Sequence, residues 1–248
     1  AYIDKTVGCG CAVLNADDDN VCDMAEGFGG SVLTFGIRRA ADVTAKNITY
    51  DRGRASFDLC HGSMKKHVTL AVCGEHNVYN ALAAAACAIL CGIPSGAIVT
   101  GLGNFRGAKR RLEFKGKLGG ADVYDDYAHH PTEIAATLDA ARQMGYNRVI
   151  CVYQPHTYSR TKGLFDEFAA ALGKADLPIL CDIYAARETD TLGVSSELLA
   201  KATRGAVYME SFDRIADYLR EHARAGDLIL TMGAGDIAKL AGLLLGGK

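Results

Sequence analysis

From residue 147 onward, short apolar runs alternate with amphipathic ones. Runs rich in β-branched and aromatic residues predict strands at residues 148–153, 177–183 and 228–232. Apolar positions at helical spacing predict helices at residues 163–172, 195–203, 213–223 and 237–245. Strands that alternate with helices form βαβ units, so this part of the chain predicts a Rossmann-like α/β domain with a mainly parallel sheet.

The first hundred residues follow a different pattern. Short strands at 12–14 and 31–35 flank a helix at 19–26, and further strands are predicted at 42–59 and 68–72. Two alanine-rich helices follow, at 78–91 and 95–102. The segment 103–108 combines glycine with charge and has neither periodicity, so we place a domain hinge there. We therefore expect two domains, residues 1–106 and 107–248.

Composition narrows the classes of partner. The formal charge of -2 leaves no basic excess, so nucleic acid is not an expected partner. The longest apolar run, 81–90, is too short for a membrane span, and the first residues carry no secretion pattern. Nine scattered cysteines favour buried free thiols and a cytoplasmic protein, because Cys87, Cys91, Cys151 and Cys181 lie within apolar helix or strand patterns. The Cys9-Gly10-Cys11 pair lacks a second ligand pair, so no metal site is expected from it.

The densest polar cluster lies at residues 125–133, DDYAHHPTE, between a predicted hairpin at 111–123 and a helix that begins at Pro131. Ligands of open α/β sheets bind beyond the carboxyl ends of the strands, where this cluster falls. Its composition allows a metal site or a catalytic dyad. The segment 154–161, QPHTYSRT, follows the next strand, so both polar segments are expected to border one crevice. The alternative for each single histidine is a hydrogen-bonded core or capping role.

Three further motifs allow two interpretations each. Asn77 and Asn80 share one side of a helix start and could bind a purine edge, or Asn77 is simply the N-cap. The basic run 106–111 could clamp a phosphate or carboxylate, or form a solvated patch. The Gly233-Ala234-Gly235 turn lacks the third glycine of a dinucleotide fingerprint, and it could receive an anion or serve only as a tight turn.

Together these segments resemble the Mur ligases, the ATP-dependent amide-bond-forming enzymes of peptidoglycan precursor synthesis. The resemblance is carried, in chain order, by residues 74–84, 110–113 and 125–133. Segments 154–161 and 233–236 are similar to the family member that joins L-alanine to UDP-N-acetylmuramate. Two alternatives stay open: the family member that recycles the murein tripeptide, and a non-catalytic nucleotide- or amino-acid-binding module.

The resemblance implies roles for eight residues. Those expected to bind ATP are Asn77 and Asn80 at the adenine, Asp126 at the ribose and Arg111 at the phosphates or the hinge. Those expected to face the amino acid and the acyl phosphate are Tyr127, His129, His156 and Arg160. Of these eight, His129 and Arg111 are the candidates for a direct catalytic role.

The resemblance also implies that the protein uses ATP and Mg²⁺. It further implies that this chain begins partway through a domain. The sequence contains no Gly-Lys-Ser/Thr, the end of the phosphate-binding P-loop motif. We therefore expect the chain to hold the second half of a P-loop-type α/β central ATPase domain, followed by the whole C-terminal domain. The P-loop and the Mg²⁺ ligands are expected upstream, and the isolated chain should show negligible ATPase activity.

Overall fold

The computed structural model describes residues 10–25 and 28–246. The chain divides into two compact units between Arg106 and Gly107. Each unit has its own β-sheet and its own hydrophobic core.

The first unit is built on a five-stranded sheet in the order β1-β2-β3-β4-β5. Its strands are β1 (Cys11–Asn15), β2 (Ser31–Gly36), β3 (Val43–Asp51), β4 (Arg54–His61) and β5 (Met64–Cys73). Strands β1 to β3 pair in parallel, whereas β3, β4 and β5 pair antiparallel. The helices are α1 (Asp19–Ala25), α2 (Glu75–Leu90) and α3 (Ser95–Asn104). Helix α2 buries Val78 and Leu82 against the sheet, because these apolar positions recur at helical spacing.

The segment 42–59 is not one strand, contrary to the sequence pattern. Arg52 and Gly53 both have positive φ, 45° and 77°, and form the turn of a β3–β4 hairpin. The signal was weak because glycine is the only strong turn residue there. Helix α2 also begins three residues earlier than predicted, at Glu75. The predicted end of the first helix at residue 26 lies outside the described residues.

The second unit is a six-stranded sheet in the order β10-β9-β8-β11-β7-β6. Its strands are β6 (Glu113–Leu118), β7 (Ala121–Asp126), β8 (Arg148–Tyr153), β9 (Leu177–Leu180), β10 (Val207–Tyr208) and β11 (Asp227–Met232). Only the β6–β7 hairpin is antiparallel among these pairs. The helices are α4 (Pro131–Gln143), α5 (Tyr158–Gly163), α6 (Phe165–Leu172), α7 (Ser196–Ala202), α8 (Phe212–His222) and α9 (Ala238–Leu244).

The predicted mainly parallel sheet is confirmed, with local differences. The two-residue strand β10 has too short an apolar pattern to predict. The helix expected at 163–172 is α6, which begins two residues later, at Phe165, and the short helix α5 before it was not predicted. Strands β8 and β11 are buried on both faces, which explains their continuous apolar sequence. The predicted β8 bounds match the structure, because a run buried on both faces carries a strong signal.

Composition predicts that the cysteines are buried free thiols. All eight cysteines within the described part of the chain are free. Cys151 and Cys181 are buried as predicted, but Cys87 and Cys91 are exposed, because they lie on the outer side of α2 and its end. Across residues 10–25 and 28–246, no helix combines the length and apolarity that a membrane crossing needs.

Candidate functional site

The polar clusters of the second unit lie where three neighbouring strands end. Strand β11 pairs in parallel with both β7 and β8, and the register sets Met232 beside Asp126 on one side and Tyr153 on the other. The segments that follow β7, β8 and β11 therefore leave the same edge of the sheet, as predicted for residues 125–133 and 154–161. Asp125 and Asp126 are the last two residues of β7 rather than part of the loop.

Arg110 is the residue that fixes this edge. Its Nε donates to Oδ2 of the buried Asp125 at 2.8 Å, and its Nη2 donates to the carbonyl of Gly233 at 2.6 Å. The hydroxyl of Thr231 donates to the other Asp125 oxygen at 2.7 Å. The same guanidinium lies over the ring of Tyr127, 4.9 Å from its centroid, which is a cation–π contact. Arg110 thus ties β7, β11 and Tyr127 together.

The basic run is therefore not a single clamp or a single solvated patch. Arg110 is mostly buried, whereas the side chain of Arg111 is 52% exposed and reaches Oε1 of Glu133 at 3.9 Å. Arg106 donates to the carbonyl of Gly103 at 2.7 Å in the first unit. Within the second unit, Arg111 presents an exposed guanidinium that a bound phosphate could reach, and its phosphate-binding role stays a prediction.

The side chain of Asp126 is more deeply buried than expected for a residue that binds a ribose. It is 2% exposed, and its two oxygens accept the backbone N–H groups of Leu112 and Ala128, both at 2.8 Å. Burial raises the pKa of Asp126, although these N–H bonds and the nearby charge of Arg111 oppose the shift. The carboxylate holds the β6–β7 edge to the start of the following loop. The ribose contact stays a prediction, and it would require this loop to open.

Helix α4 begins at Pro131, as its sequence predicts. His130 is the N-cap, since its Nδ1 accepts the N–H of Thr132 at 3.3 Å, while Glu133 completes a capping box. For His130 the capping interpretation is therefore correct. His129 differs: its Nδ1 lies 3.1 Å from the carbonyl of Tyr127 and 3.5 Å from Glu133 Oε2, and its ring packs edge-on against Tyr127.

A second group follows β8. The ring of His156 stacks on Tyr184 with centroids 5.5 Å apart, and its Nδ1 is buried without a hydrogen-bond partner among the described residues. Nη1 of Arg160, in the first turn of α5, is also buried and unpartnered within this set of residues. Burial lowers the pKa of His156, and the positive charges of Arg160 and His129 lower it further.

The segment that carries Arg160 is held by Glu188. Its carboxylate accepts the backbone N–H of Tyr158 and Ser159, at 2.5 and 2.9 Å, and the Ser159 hydroxyl. Thr157, just before the helix, has φ of 70°, an uncommon conformation that this anchoring maintains. The polar segment 154–161 therefore begins as a loop and continues into the short helix α5, and this helix orients Arg160.

The Gly233-Ala234-Gly235 turn packs against Gln154. A Cβ at Gly233 would lie 2.6 Å from the Gln154 carbonyl, and one at Gly235 would lie 2.3 Å from its Oε1. Gln154 Oε1 also accepts the N–H of Ile237 at 3.1 Å, and its Nε2 donates to Asp236 at 2.9 Å. Of the two interpretations, the geometry favours the tight turn, because glycine is required by close packing.

In the first unit, Asn77 and Asn80 do lie on the same side of α2. Asn80 Nδ2 donates to Asn77 Oδ1 at 3.1 Å, and Asn77 Nδ2 donates to the carbonyl of Cys73 at 2.8 Å. The N-cap is Gly74, with φ of 97°, so the alternative that Asn77 caps the helix is wrong. Asn77 is half-buried and Asn80 is exposed, so the pair offers a fixed amide and an accessible one.

Asp17 holds α2 in place. Its carboxylate accepts the backbone N–H groups of Ile37, Arg38 and Arg39, and the hydroxyl of Tyr79 at 2.9 Å. Burial acts to raise the pKa of Asp17, but together these four bonds lower it to about 2. The turn after β1, the loop after β2 and helix α2 are therefore joined at one charged residue.

Within the parts of the chain that the structure describes, no three His, Cys, Asp or Glu side chains are grouped so that they could hold a metal ion. Cys9 of the close cysteine pair lies outside those parts.

Both units are α/β, and the second sets polar side chains at the carboxyl ends of its parallel strands, the edge at which open α/β sheets bind ligands. Two family models match the chain. The Mur ligase middle domain matches residues 3–88, and the glutamate ligase domain of Mur ligases matches residues 110–235. The chain belongs to the Mur ligase family, which confirms the resemblance.

Curated relatives are similar along nearly the whole chain. UDP-N-acetylmuramate--L-alanine ligase of Clostridium novyi is 44% identical over 96% of this chain and 53% of the relative. The enzyme of the same name from Agathobacter rectalis is 43% identical over 98% of this chain and 54% of the relative. The chain therefore spans about half the length of these relatives.

Solved structures show the same fold. UDP-N-acetylmuramate-alanine ligase from Thermotoga maritima superposes with a TM-score of 0.72 at 24% identity, covering 86% of this chain and 47% of that one. A murein peptide ligase from Psychrobacter arcticus gives 0.68 at 26% identity, covering 95% and 50%. The ligase MurF of Thermotoga maritima in complex with ADP gives 0.74 at 16%, covering 94% and 52%. The predicted fold class is confirmed.

Proposed function

We propose that the gene product containing this chain is an ATP-dependent ligase that joins L-alanine to UDP-N-acetylmuramate, and that it acts in the cytoplasm. The observation that carries the proposal is the Arg160 guanidinium, whose Nη1 is buried without a partner among the described residues, four residues after the ring of His156 that stacks on Tyr184. It is supported by relatives of that name at 43 and 44% identity. A partly buried guanidinium suits the carboxylate of an amino acid and the charge of an acyl phosphate.

The reaction of this class has two steps. The muramoyl carboxylate attacks the γ-phosphorus of ATP, so that an acyl phosphate forms and ADP leaves. The amine of L-alanine then attacks the acyl carbon, and inorganic phosphate leaves from the tetrahedral intermediate. Neither step needs a protein nucleophile, so the protein contributes positioning and charge neutralisation.

Each unit would contribute different contacts. Asn77 and Asn80 would bind the adenine edge, because an amide both donates and accepts hydrogen bonds. The exposed guanidinium of Arg111 would neutralise phosphate charge. In the amino-acid site, Arg160 would bind the carboxylate, with Tyr127, His129 and His156 around it. Asp126 would reach the ribose only after its loop opens.

The test is ADP release by the gene product with UDP-N-acetylmuramate, with and without L-alanine. We expect L-alanine-dependent turnover, and its absence would refute the proposal. Arg160→Met should raise the KM for L-alanine more than that for ATP, whereas Asn80→Ala should do the reverse. Arg204→Met is the matched control, because Arg204 is exposed and lies at the end of α7, so neither KM should change.

A second candidate is the murein tripeptide ligase, favoured by the structural likeness to a murein peptide ligase at 26% identity. Both enzymes would use the same two-step chemistry but different amine donors. Comparing free L-alanine with the murein tripeptide as the amine substrate separates them, and tripeptide-dependent turnover without L-alanine-dependent turnover would decide for the second candidate. Turnover with neither would favour a non-catalytic binding module.

A further inference from the structure

Tyr153, the last residue of β8, has a hydroxyl group that the fold leaves unused. The side chain is fully buried, its ring packs 5.9 Å from that of Phe168, and its oxygen has no hydrogen-bond partner among the described residues. A buried polar group without a partner costs about 1–3 kcal/mol. Phenylalanine would fill the same space without that cost, so packing alone does not explain a tyrosine here.

The Tyr153 hydroxyl is one of several buried polar atoms that have no hydrogen-bond partner within the described residues. In the described part of the chain, four buried side-chain atoms lack a partner: Tyr153 Oη, His156 Nδ1, Arg160 Nη1 and Ser196 Oγ. The first three lie within eight residues of sequence, at and after the carboxyl end of β8. Tyr153 is the last residue of β8 and Arg160 lies in α5, which begins five residues later, so the three atoms belong to one strand end and the segment that leaves it.

The chemistry of these three atoms points to an oxyanion. A tyrosine hydroxyl and an arginine N–H are donors, and a neutral imidazole nitrogen can also be one. Burial raises the pKa of Tyr153, so the hydroxyl keeps its proton and stays a donor. A carboxylate offers two oxygens with several lone pairs, and its bonds to charged donors are the strong ones.

We propose that the Tyr153 hydroxyl is a substrate-binding group that donates a hydrogen bond to the substrate carboxylate bound by Arg160. The inference rests on the proposed function, since it takes the amino acid as the source of that carboxylate. The hydrogen-bonding groups of the site would then be satisfied only when the substrate is bound.

The test is Tyr153→Phe in the gene product. We expect the KM for L-alanine to rise about tenfold, as for loss of one hydrogen bond to a charged group, while the KM for ATP stays the same. The Tm of the ligand-free chain should be unchanged or higher, because the hydroxyl removed has no partner to lose. A purely structural tyrosine would give the opposite result, a lower Tm with an unchanged KM.

Tyr146→Phe is the matched control in the same unit. Its hydroxyl donates to Asp122 at 2.7 Å and lies 3.3 Å from that of Tyr124. Tyr146 precedes β8, so it lies at the opposite end of that strand from Tyr153. This variant should lower the Tm and leave both KM values unchanged.

Failure of the proposed function has a separate signature. If the wild-type gene product releases no ADP in response to L-alanine, the hydrogen bond from Tyr153 to a carboxylate can still be tested directly by NMR of this chain. Tyrosines carrying ¹³C at Cζ are observed by NMR while acetate is added, and the Tyr153 signal is assigned by its absence from Tyr153→Phe. We expect acetate to shift this signal in the wild type but not in Arg160→Met. An unchanged Tyr153 signal, or an unchanged KM for L-alanine in an active Tyr153→Phe enzyme, would overturn the proposal.

Discussion

Arg110 should be the side chain that stabilises the carboxyl edge of the second sheet most strongly. Arg110→Met removes both the 2.8 Å bond to Asp125 and the 2.6 Å bond to the Gly233 carbonyl. Asp125 is 2% exposed and, among the described residues, would keep only the Thr231 hydroxyl as a side-chain partner. Breaking a buried ion pair from one side costs about 3–5 kcal/mol, because the remaining charge cannot be solvated. Since Arg110 itself is 24% exposed, we expect about 3 kcal/mol, the lower end of that range.

A double variant isolates the cause of this loss. In Arg110→Met/Asp125→Asn no unpaired charge is buried, and the new amide can still bond to Thr231. The double variant should therefore be more stable than the sum of the single changes predicts, by about 2 kcal/mol. Arg214→Met is the control, because Arg214 and Glu210 form an ion pair with both side chains more than 60% exposed. Its loss should cost less than about 0.5 kcal/mol.

Buried thiols allow this unit to be measured by itself. Cys151 and Cys181 are 0% and 1% exposed, and both belong to the second unit. Pulses of iodoacetamide across a urea series, followed by mass spectrometry of the two peptides, give the midpoint at which this unit unfolds. The Arg110→Met midpoint should fall by at least about 1 M urea. A fall no larger than that of Arg214→Met, or a double variant as unstable as the summed single changes, would refute the reasoning.

Three further predictions concern Asp17, Gly235 and His156. The pKa of Asp17 is about 2 instead of 3.8, so this residue stabilises the fold above its ordinary pKa, and the contribution is lost as the pH falls towards 2. Asp17→Asn should flatten that part of an acid unfolding curve followed by circular dichroism, and an unchanged curve would contradict the assignment. Gly235→Ala should cost about 1–3 kcal/mol in urea unfolding through its clash with Gln154, whereas Gly163→Ala, where a Cβ has open space, should cost nothing. The pKa of His156 should lie below 6.5 in an NMR titration, because burial and Arg160 disfavour its charged form, and a value at or above 6.5 would show that the ring is solvated.

Local patterns predicted much of the fold. The sequence places a helix start at Pro131 and a strand at 148–153, and both are found there, because N-terminal helix residues and runs buried on both faces have strong local preferences. The hairpin at Arg52-Gly53 and the short strand β10 were missed. Those elements depend on pairing with neighbouring strands, which contributes little to the local pattern.

The sequence by itself determined which segments carry polar chemistry, and their similarity to the Mur ligases. It could not assign neighbouring residues to different roles. Arg110 and Arg111 are adjacent and chemically identical, yet one closes a buried ion pair and the other remains exposed. Tyr153 belongs to an apolar run that predicts only core, whereas the structure shows that its hydroxyl has no partner among the described residues, at the strand end that leads to Arg160. Only the tertiary structure decides such roles, because burial and hydrogen-bond partners are set by residues distant in sequence.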